Sequence, residues 1–257
     1  MKKYIFVIIT IVSVVLFSFL LQNVSKEKSN VLPAQSKIND ETIFSKKIIK
    51  YEDHLYSYNF ILLNNIDKVS LVPNYEHKIS SDEVVEANSC KYLTSAGFYS
   101  KNGAPIGLLI NEYQIINKSE INQLFNGFLT INLFDTPIIS YEKPEEEARI
   151  SVQSGPVLIE NSFIQKLTIK NDKEARRVVA AVSGSNELIF IVIYDQESHF
   201  SGPKLSDLPN ITKLISEDNE LNTADAINLD GGTASVFYKD EFVLKELTSV
   251  GSFFCIK

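Results

Sequence analysis

The segment with the clearest chemical potential is a strand-like run, Ala226 to Leu229, that ends on Asp230 and continues into Gly231 and Gly232. The two glycines allow positive φ and leave backbone amides uncovered, so an anion can approach them closely. A carboxylate at the strand end would point into the space above those amides. Asp-Gly is also a common hairpin dipeptide, so the motif alone is more typical of a simple turn than of an active site.

A second interpretation compares this loop with the Asp-Thr-Gly loop of aspartic peptidases. That chemistry needs two carboxylates that share one proton. The chain offers only a partial second copy, because Asp135 and Thr136 are followed by Pro137 rather than by glycine. A pair supplied by two copies of the chain keeps the peptidase as a remote alternative.

Three further segments place small, amide or cationic residues at predicted strand ends. They are Thr94 to Tyr99 with the turn that leads to Gly107 and Leu108, Gln153 to Val157, and Arg177 before the apolar run Val178 to Val182. Taken singly, each is typical of a β-turn or of a solvated surface charge. The neighbouring Arg176 is expected to be a surface residue.

Strand signals dominate the elements that must position these residues. Short β-branched and aromatic runs alternate with Asn, Asp, Gly and Pro, and they predict strands at 47–51, 58–63, 68–72, 105–110, 127–133, 157–160, 177–182, 188–194, 226–229, 235–238 and 252–256. Helices are predicted at 81–88, with Ser80 and Glu83 as a capping box, and at 207–216, with Pro209 in the first turn. Because strands and helices do not alternate strictly, we expect an α+β fold: a single sheet-rich mixed domain with a few helices.

The N-terminus predicts a membrane helix. Lys2 and Lys3 precede an uncharged run from Tyr4 to Leu21, which as a helix would reach about 27 Å, close to the thickness of a bilayer core. We therefore expect a signal anchor at 1–24, a polar linker at 25–40 and a domain at 41–257. The flanking charges predict a single-pass cell-membrane protein whose domain is extracytoplasmic. A cleaved signal peptide is the alternative.

Composition excludes several classes of function. The formal charge is -7, and an acidic domain is a poor partner for nucleic acid. The three scattered histidines lack zinc-site spacing, and the chain has no P-loop, dinucleotide or G-x-S-x-G motif, so we expect no cofactor and no metal. Cys90 and Cys255 could form a disulfide in an exported chain, or they could be two buried thiols.

Taken together, the motifs resemble those of the phosphodiester glycosidase family, in order and in approximate spacing, over nearly the whole domain. The family pattern runs Asn-[Gly/Ala]-Gly-Phe-Phe, Gly-Leu, Gln-x-Gly-Pro, Arg-Thr-Ala-Ile-Gly and Asn-Leu-Asp-Gly-Gly followed by Ser-Ser. The matching segments here are 96–99, 107–108, 153–156, 177–181 and 228–232, with Ser235 as the second serine. Ser95, Val178 and Ala234 depart from the pattern, standing for its Asn, Thr and first Ser.

The resemblance implies hydrolysis of the bond between a sugar anomeric carbon and a phosphodiester. It implies catalytic roles for Asp230, as nucleophile or general base, and for Arg177, on the phosphate. The substrate-binding residues that it implies are Asn228, Gly231, Gly232, Ser235, Ser95, Gly97, Gln153 and Gly155. The expected partner is a sugar-phosphodiester small molecule or glycan. The alternative is a non-catalytic envelope module that binds such glycans, which Ser95 in place of Asn would suit.

Overall fold

The computed structural model describes residues 47–100, 102–144 and 147–257. These residues form a sheet-rich domain with two α-helices and one 3-10 turn. The predicted anchor at 1–24 and linker at 25–40 lie outside the described residues. Within the described part of the chain, no helix has the length and apolar character needed to cross a membrane.

Seventeen strands and two helices make up the domain. In chain order they are β1 (Lys47–Tyr51), β2 (His54–Leu63), β3 (Val69–Pro73), α1 (Ser81–Asn88), β4 (Tyr92–Ser95), β5 (Leu109–Asn111), β6 (Gln114–Asn117), β7 (Gly127–Ile131), β8 (Pro137–Ser140), β9 (Ile150–Ser154), β10 (Val157–Glu160), β11 (Phe163–Ile164), β12 (Arg177–Ser183), β13 (Leu188–Asp195), α2 (Leu208–Asp218), β14 (Thr223–Asn228), β15 (Phe237–Lys239), β16 (Phe242–Leu244) and β17 (Ser252–Ile256).

The strands form three antiparallel sheets. A seven-stranded sheet has the order β1-β2-β13-β12-β14-β10-β11. Two five-stranded sheets have the orders β16-β15-β4-β17-β3 and β6-β5-β9-β7-β8. The paired strands run antiparallel throughout, as in the central β12–β13 and β12–β14 pairs.

The main core lies where one face of the seven-stranded sheet meets the two smaller sheets. Phe190 from the large sheet, Phe254 from the second sheet and Val152 from the third all belong to it and are almost fully buried. The opposite face of the large sheet packs against α2, through Ile211 and Ile215. Its central strands are therefore buried on both faces, which is why β12 and β13 are nearly continuous apolar runs.

Both helices follow their predicted local signals. The capping box of α1 is present, since the Ser80 hydroxyl accepts from the Glu83 amide and the Glu83 carboxylate accepts from the Ser80 amide. In α2, Pro209 lies in the first turn as predicted, and the helix extends two residues beyond the predicted end, to Asp218.

Several strand predictions were wrong in extent. The predicted strand at 105–110 begins only at Leu109. Gly107 adopts φ +77°, and the side-chain amide of Asn117 donates to the carbonyls of Pro105 and Gly107, so these residues do not pair with a strand. The strand predicted at 235–238 begins at Phe237, since residues 232–234 form the 3-10 turn. Sequence patterns missed six short strands, namely β4, β6, β8, β9, β11 and β16.

Cys90 and Cys255 form a disulfide, the first of the two possibilities that the sequence left open. The bond joins the segment after α1 to β17, and both residues belong to a small core on the outer face of the second sheet. It closes a loop with a sequence separation of 165 residues. A crosslink over so long a loop restricts the unfolded chain strongly, by about 5 kcal/mol in the chain-entropy limit.

The double variant Cys90→Ala/Cys255→Ala is expected to lose about 2–5 kcal/mol of unfolding free energy. Urea denaturation followed by circular dichroism measures this loss. Wild type in reductant serves as the control and should shift to the same lower midpoint. A native protein with two titratable thiols, or midpoints that reductant leaves unchanged, would show that the bond does not form.

Candidate active site

The Asp230 turn connects two sheets. Strand β14 ends at Asn228 in the large sheet, and β15 begins at Phe237 in the second sheet. Between them, the Asp230 amide donates to the Ala96 carbonyl at 3.0 Å and the Gly232 amide donates to the Arg176 carbonyl at 2.7 Å. The segment is therefore a crossing between sheets, and the hairpin interpretation of Asp-Gly does not apply.

The first motif segment packs directly against this turn. The Ser95 hydroxyl donates to the Asp230 carbonyl at 2.8 Å, and the Ala96 amide donates to the Ser252 carbonyl at 3.0 Å. At Gly97 a Cβ atom would lie 2.7 Å from the Val152 side chain, so only glycine fits without displacement. The contact that Ser95 makes holds the backbone of the aspartate and uses its hydroxyl hydrogen.

The Gln-x-Gly-Pro segment meets the turn from the other side. The Gly155 amide and the Ser154 hydroxyl both donate to the Asn228 carbonyl, at 3.0 and 2.7 Å. The Asn228 side-chain amide donates back to the Gly155 carbonyl at 2.9 Å. The Asn228 Oδ1 atom is buried without a hydrogen-bond partner among the described residues, so it is an acceptor that a ligand hydroxyl could satisfy.

Gln153 has its hydrogen-bonding groups committed to the protein. Its Oε1 atom accepts from the amides of Leu108 and Glu120, and its Nε2 atom donates to the carbonyls of Glu120 and Phe125. These four bonds fix the loop between β6 and β7 against β9. The arrangement favours a positioning role, while the predicted substrate contact of Gln153 gains no support from it.

Arg176 was predicted to lie at the surface, and this prediction is wrong, because its side chain is fully buried. Its guanidinium donates to the hydroxyl and carbonyl of Ser235 and to the Lys245 carbonyl, and it stacks over Phe200 with 4.8 Å from Cζ to the ring centre. Burial lowers the pKa of Arg176 to about 10, with a small opposing effect of Glu246. Ser235, predicted to bind substrate, accepts from this arginine and donates to the Gly232 carbonyl.

Arg177 points to a different group of atoms. Its Nε donates to the Pro203 carbonyl at 2.9 Å, its Nη2 donates to the Lys173 carbonyl at 2.6 Å, and Asp172 lies 3.8 Å away. Burial lowers the pKa of Arg177, and Asp172 opposes that shift. Neither arginine contributes to the pKa of Asp230. The predicted phosphate contact of Arg177 therefore stays a prediction, and its observed contacts fix the loops at 172–173 and 203.

Asp230 carries the most perturbed carboxyl group of the described chain. Burial raises its pKa from 3.8 to about 8, although a hydrogen bond from the Gly231 amide opposes the shift. Desolvation penalises the charged form, and no cation offsets that penalty. A carboxyl that titrates near neutral pH, at the meeting point of several motif segments, is a candidate for proton transfer or nucleophilic attack.

Tyr99 is a site residue that the motif analysis placed in the first segment without giving it a role. Its hydroxyl is buried, and its ring lies so close to Gly251 that a Cβ atom there would approach it to 2.1 Å. Burial raises the pKa of Tyr99, a hydrogen bond with Ser252 lowers it, and the charge of Asp230 raises it further. The tyrosine therefore lies close enough to Asp230 for the charge of the carboxylate to affect its pKa. The family pattern has Phe at this position, and Tyr in its place is the signal that could have identified the residue.

Metal ligands are not grouped in this region. Among residues 47–257, apart from the gaps at 101 and 145–146, no three His, Cys, Asp or Glu side chains come together in a way that could hold a metal ion.

Solved structures share this three-sheet architecture. The catalytic domain of zebrafish N-acetylglucosamine-1-phosphodiester alpha-N-acetylglucosaminidase, described as auto-inhibited by its pro-peptide, superposes with a TM-score of 0.66 at 15% identity, over 82% of this chain and 80% of that one. A Synechocystis protein has a TM-score of 0.55 at 11% identity, over 82% and 61%. A protein from Burkholderia pseudomallei has a TM-score of 0.55 at 9% identity, over 79% and 74%. At these identities the likeness establishes the fold.

The family is established by the sequence itself. Residues 88–252 match the phosphodiester glycosidase family, and this stretch covers more than half of the chain and every motif segment described above. The chain belongs to the phosphodiester glycosidase family. No curated protein sequence matches it.

The raised pKa of Asp230 predicts how stability depends on pH. Between pH 4 and pH 8 the unfolded aspartate ionises while the folded one stays protonated, so this residue makes stability fall as pH rises through that window. Asp230→Asn should remove the fall and increase the free energy of unfolding at pH 8 by on the order of 2 kcal/mol. Denaturant melts at pH 5 and pH 8 measure the difference. Equal effects at both pH values would contradict the assignment.

Proposed function

We propose that the protein hydrolyses glycosyl phosphodiesters of envelope or extracellular glycans, giving a free sugar and a phosphomonoester. The observation that carries the proposal is the partly buried Asp230 carboxyl, which has a pKa of about 8 and lies where the family motifs converge. Membership of a glycosidase family supports the reaction class. The zebrafish structure with the same fold bears the name of an enzyme that acts on a sugar-1-phosphodiester.

The chemistry of the leaving group explains how one carboxylate could suffice. Ordinary glycosidases use two carboxyl groups because a sugar alkoxide needs a proton to depart. A phosphomonoester has a second pKa near 6, so it leaves without strong acid assistance. Ionised Asp230 would take a proton from water as the water oxygen attacks the anomeric carbon and the carbon–oxygen bond to the phosphate breaks. As a nucleophile, it would instead form a glycosyl ester that water then hydrolyses.

The roles of the neighbouring residues follow from their contacts. Ser95 and Ala96 hold the Asp230 backbone, and the free Oδ1 of Asn228 is an acceptor for a sugar hydroxyl. The amides of Gly231 and Gly232 were predicted to bind oxygens of the substrate. The Gly232 amide donates to the Arg176 carbonyl and the Gly231 amide donates to the Asp230 carboxyl, so a substrate oxygen would have to displace one of these partners.

An extracytoplasmic location at the membrane belongs to the same proposal. The apolar run at 4–21 motivates it, and the Cys90–Cys255 disulfide is typical of oxidising compartments. Fractionation of cells that express the full chain tests the location. Recovery of the protein in the soluble cytoplasmic fraction with free thiols would contradict it.

The pH dependence of hydrolysis tests the role of Asp230. Because the ionised carboxylate is the reactive form, kcat/KM should rise about tenfold per pH unit below pH 8 and level off above it. The assay follows sugar release from a panel of sugar-1-phosphodiesters. Asp230→Asn is expected to lose at least about 100-fold in kcat/KM at pH 8.

Asp225→Asn is the matched control, because Asp225 lies on β14, just before the Asp230 turn, and its carboxylate accepts from the Asn161 amide. It should retain wild-type activity. Equal activity of wild type and Asp230→Asn, or no release by wild type from any substrate, would leave the glycan-binding module as the better account. Activity that falls as pH rises past 8 would make Asp230 a general acid instead.

The Arg177→Met variant tests whether Arg177 binds the phosphate or instead fixes the loops that it contacts. Since its guanidinium bonds to the carbonyls of Lys173 and Pro203, we expect the variant to lose about 1–3 kcal/mol of stability, with KM changed less than threefold. Urea melts and initial-rate kinetics give the two quantities. A large increase in KM with unchanged stability would instead support direct contact between Arg177 and the phosphate.

A further inference from the structure

An anionic substrate presents this acidic protein with an electrostatic problem. The formal charge of the chain is -7, so a phosphodiester must be bound by a local positive group. The two arginines of the predicted motif segment bond to carbonyl oxygens, Arg176 at Ser235 and Lys245, and Arg177 at Lys173 and Pro203. Arg176 keeps one unpaired nitrogen, Nη1, but this atom and the whole side chain are buried, so an exposed cation must come from another segment.

One cavity supplies such a cation beside the site. It has a volume of about 450 Å³ and is lined by Lys78, by the hydroxyl side chains of Tyr75, Tyr99, Thr248 and Ser249, and by backbone around Gly251. None of its described lining residues is acidic. Three other cavities of similar size offset their cations with carboxylates: Lys143 with Glu142 and Glu147; Lys47 and Lys239 with Asp240 and Glu241; and Lys68, Arg149 and Lys257 with Asp67, Glu112 and Asp135. The charge pattern therefore singles out the Lys78 cavity for an anion.

The loop that carries Lys78 is held rigidly. Asn74, which is buried, donates through its side chain to the carbonyls of Ile79 and Val250 and accepts from the Ile79 amide. The Lys78 amide donates to the Asn74 carbonyl at 2.9 Å. The lysine chain lies over Gly103, where an added Cβ atom would come within 3.2 Å of the Nζ atom. Lys78 is thus an exposed charge on a fixed backbone.

The cavity adjoins Asp230 through Tyr99. The ring of Tyr99 forms part of the cavity wall against Gly251, and its hydroxyl lies within the electrostatic influence of Asp230. The next residue, Ser252, accepts the Ala96 amide, and the Ala96 carbonyl accepts the Asp230 amide. A short chain of backbone hydrogen bonds therefore joins the segment beside the cavity wall to the main chain of Asp230.

We propose that the cavity between the Asn74–Lys78 loop and the Thr248–Gly251 loop is the phosphate subsite, with Lys78 as the cationic ligand and Tyr99 as the wall toward Asp230. The proposal rests on the hydrolytic function proposed above and specifies where the substrate anion is bound. The hydroxyls of Tyr75, Thr248 and Ser249 would face the group beyond the phosphate, which favours a polar, hydroxylated aglycone. Lys78 lies outside the family match at 88–252, so the family does not assign this role.

The test measures phosphate binding directly on the purified full-length chain. Inorganic phosphate is titrated against wild type, Lys78→Gln, Lys78→Arg and the control Lys68→Gln, and binding is followed by phosphorus NMR line broadening. Lys68 is the matched control, because it lines a cavity in which Asp67, Glu112 and Asp135 offset the cations. We expect about tenfold weaker phosphate binding in Lys78→Gln, near-normal binding in Lys78→Arg, and no change in Lys68→Gln.

Kinetics on a sugar-1-phosphodiester distinguish this proposal from the hydrolytic one. A Lys78→Gln variant that binds phosphate as wild type does, or that hydrolyses the substrate with unchanged KM, overturns the subsite and leaves the hydrolytic function intact. Weaker phosphate binding in Lys78→Gln supports the subsite even if wild type releases no sugar, and in that case it is the hydrolytic function that fails. Melting curves of the four proteins should coincide, because Lys78 is exposed.

Discussion

The architecture depends on the way one strand leaves its sheet. Leu229 donates to the Val178 carbonyl within the large sheet, and the next residue, Asp230, donates to the Ala96 carbonyl beyond β4 of the second sheet. Two successive amides thus bind two different sheets. This arrangement fixes the angle between the sheets and, with it, the space in which the main core packs. It also leaves the Asp230 side chain at the seam, where it is partly buried.

The position of Asp230 between the two sheets explains why ionising its carboxyl costs free energy in the folded state. An aspartate moved from water into such a site resists ionisation unless a cation compensates, and the adjacent arginines are directed elsewhere. Arg176 instead stabilises the turn that follows, by binding Ser235 and Lys245. The family resemblance placed Arg177 and Asp230 in one catalytic site. In the structure the arginines hold backbone carbonyls, and the aspartate keeps a raised pKa suited to chemistry at neutral pH.

Sequence patterns predicted the long elements well, because hydrophobic periodicity and capping are local. They gave the capping box of α1 and most of β12 and β13, where strand length and burial leave little ambiguity. Short strands such as β4 were missed, since four residues carry too little pattern and their pairing with β15 and β17 is a long-range property. The division of the predicted sheet-rich domain into three sheets could not be derived from local signals for the same reason.

The order of the motifs along the sequence identified the segments that meet at the site. It did not show which atoms their side chains contact. Arg176 precedes β12 and Arg177 is its first residue, and their side chains have different surroundings although they are neighbours. The motif match could not reveal which carbonyls each would meet. Gln153 illustrates the same limit, because an amide suited to a sugar hydroxyl is equally suited to four backbone groups.

Sequence motifs could not identify Lys78, since nothing in its local sequence distinguishes it from other lysines. Its position becomes informative only after folding, when Asn74 fixes its loop against Val250 and the surrounding cavity proves free of carboxylates. In an acidic protein, screening confines each surface charge to about 8 Å at physiological salt, so one lysine in a neutral cavity can dominate the potential felt by a bound anion. Local charge pattern, rather than net charge or sequence proximity, therefore determines where a phosphate can be bound.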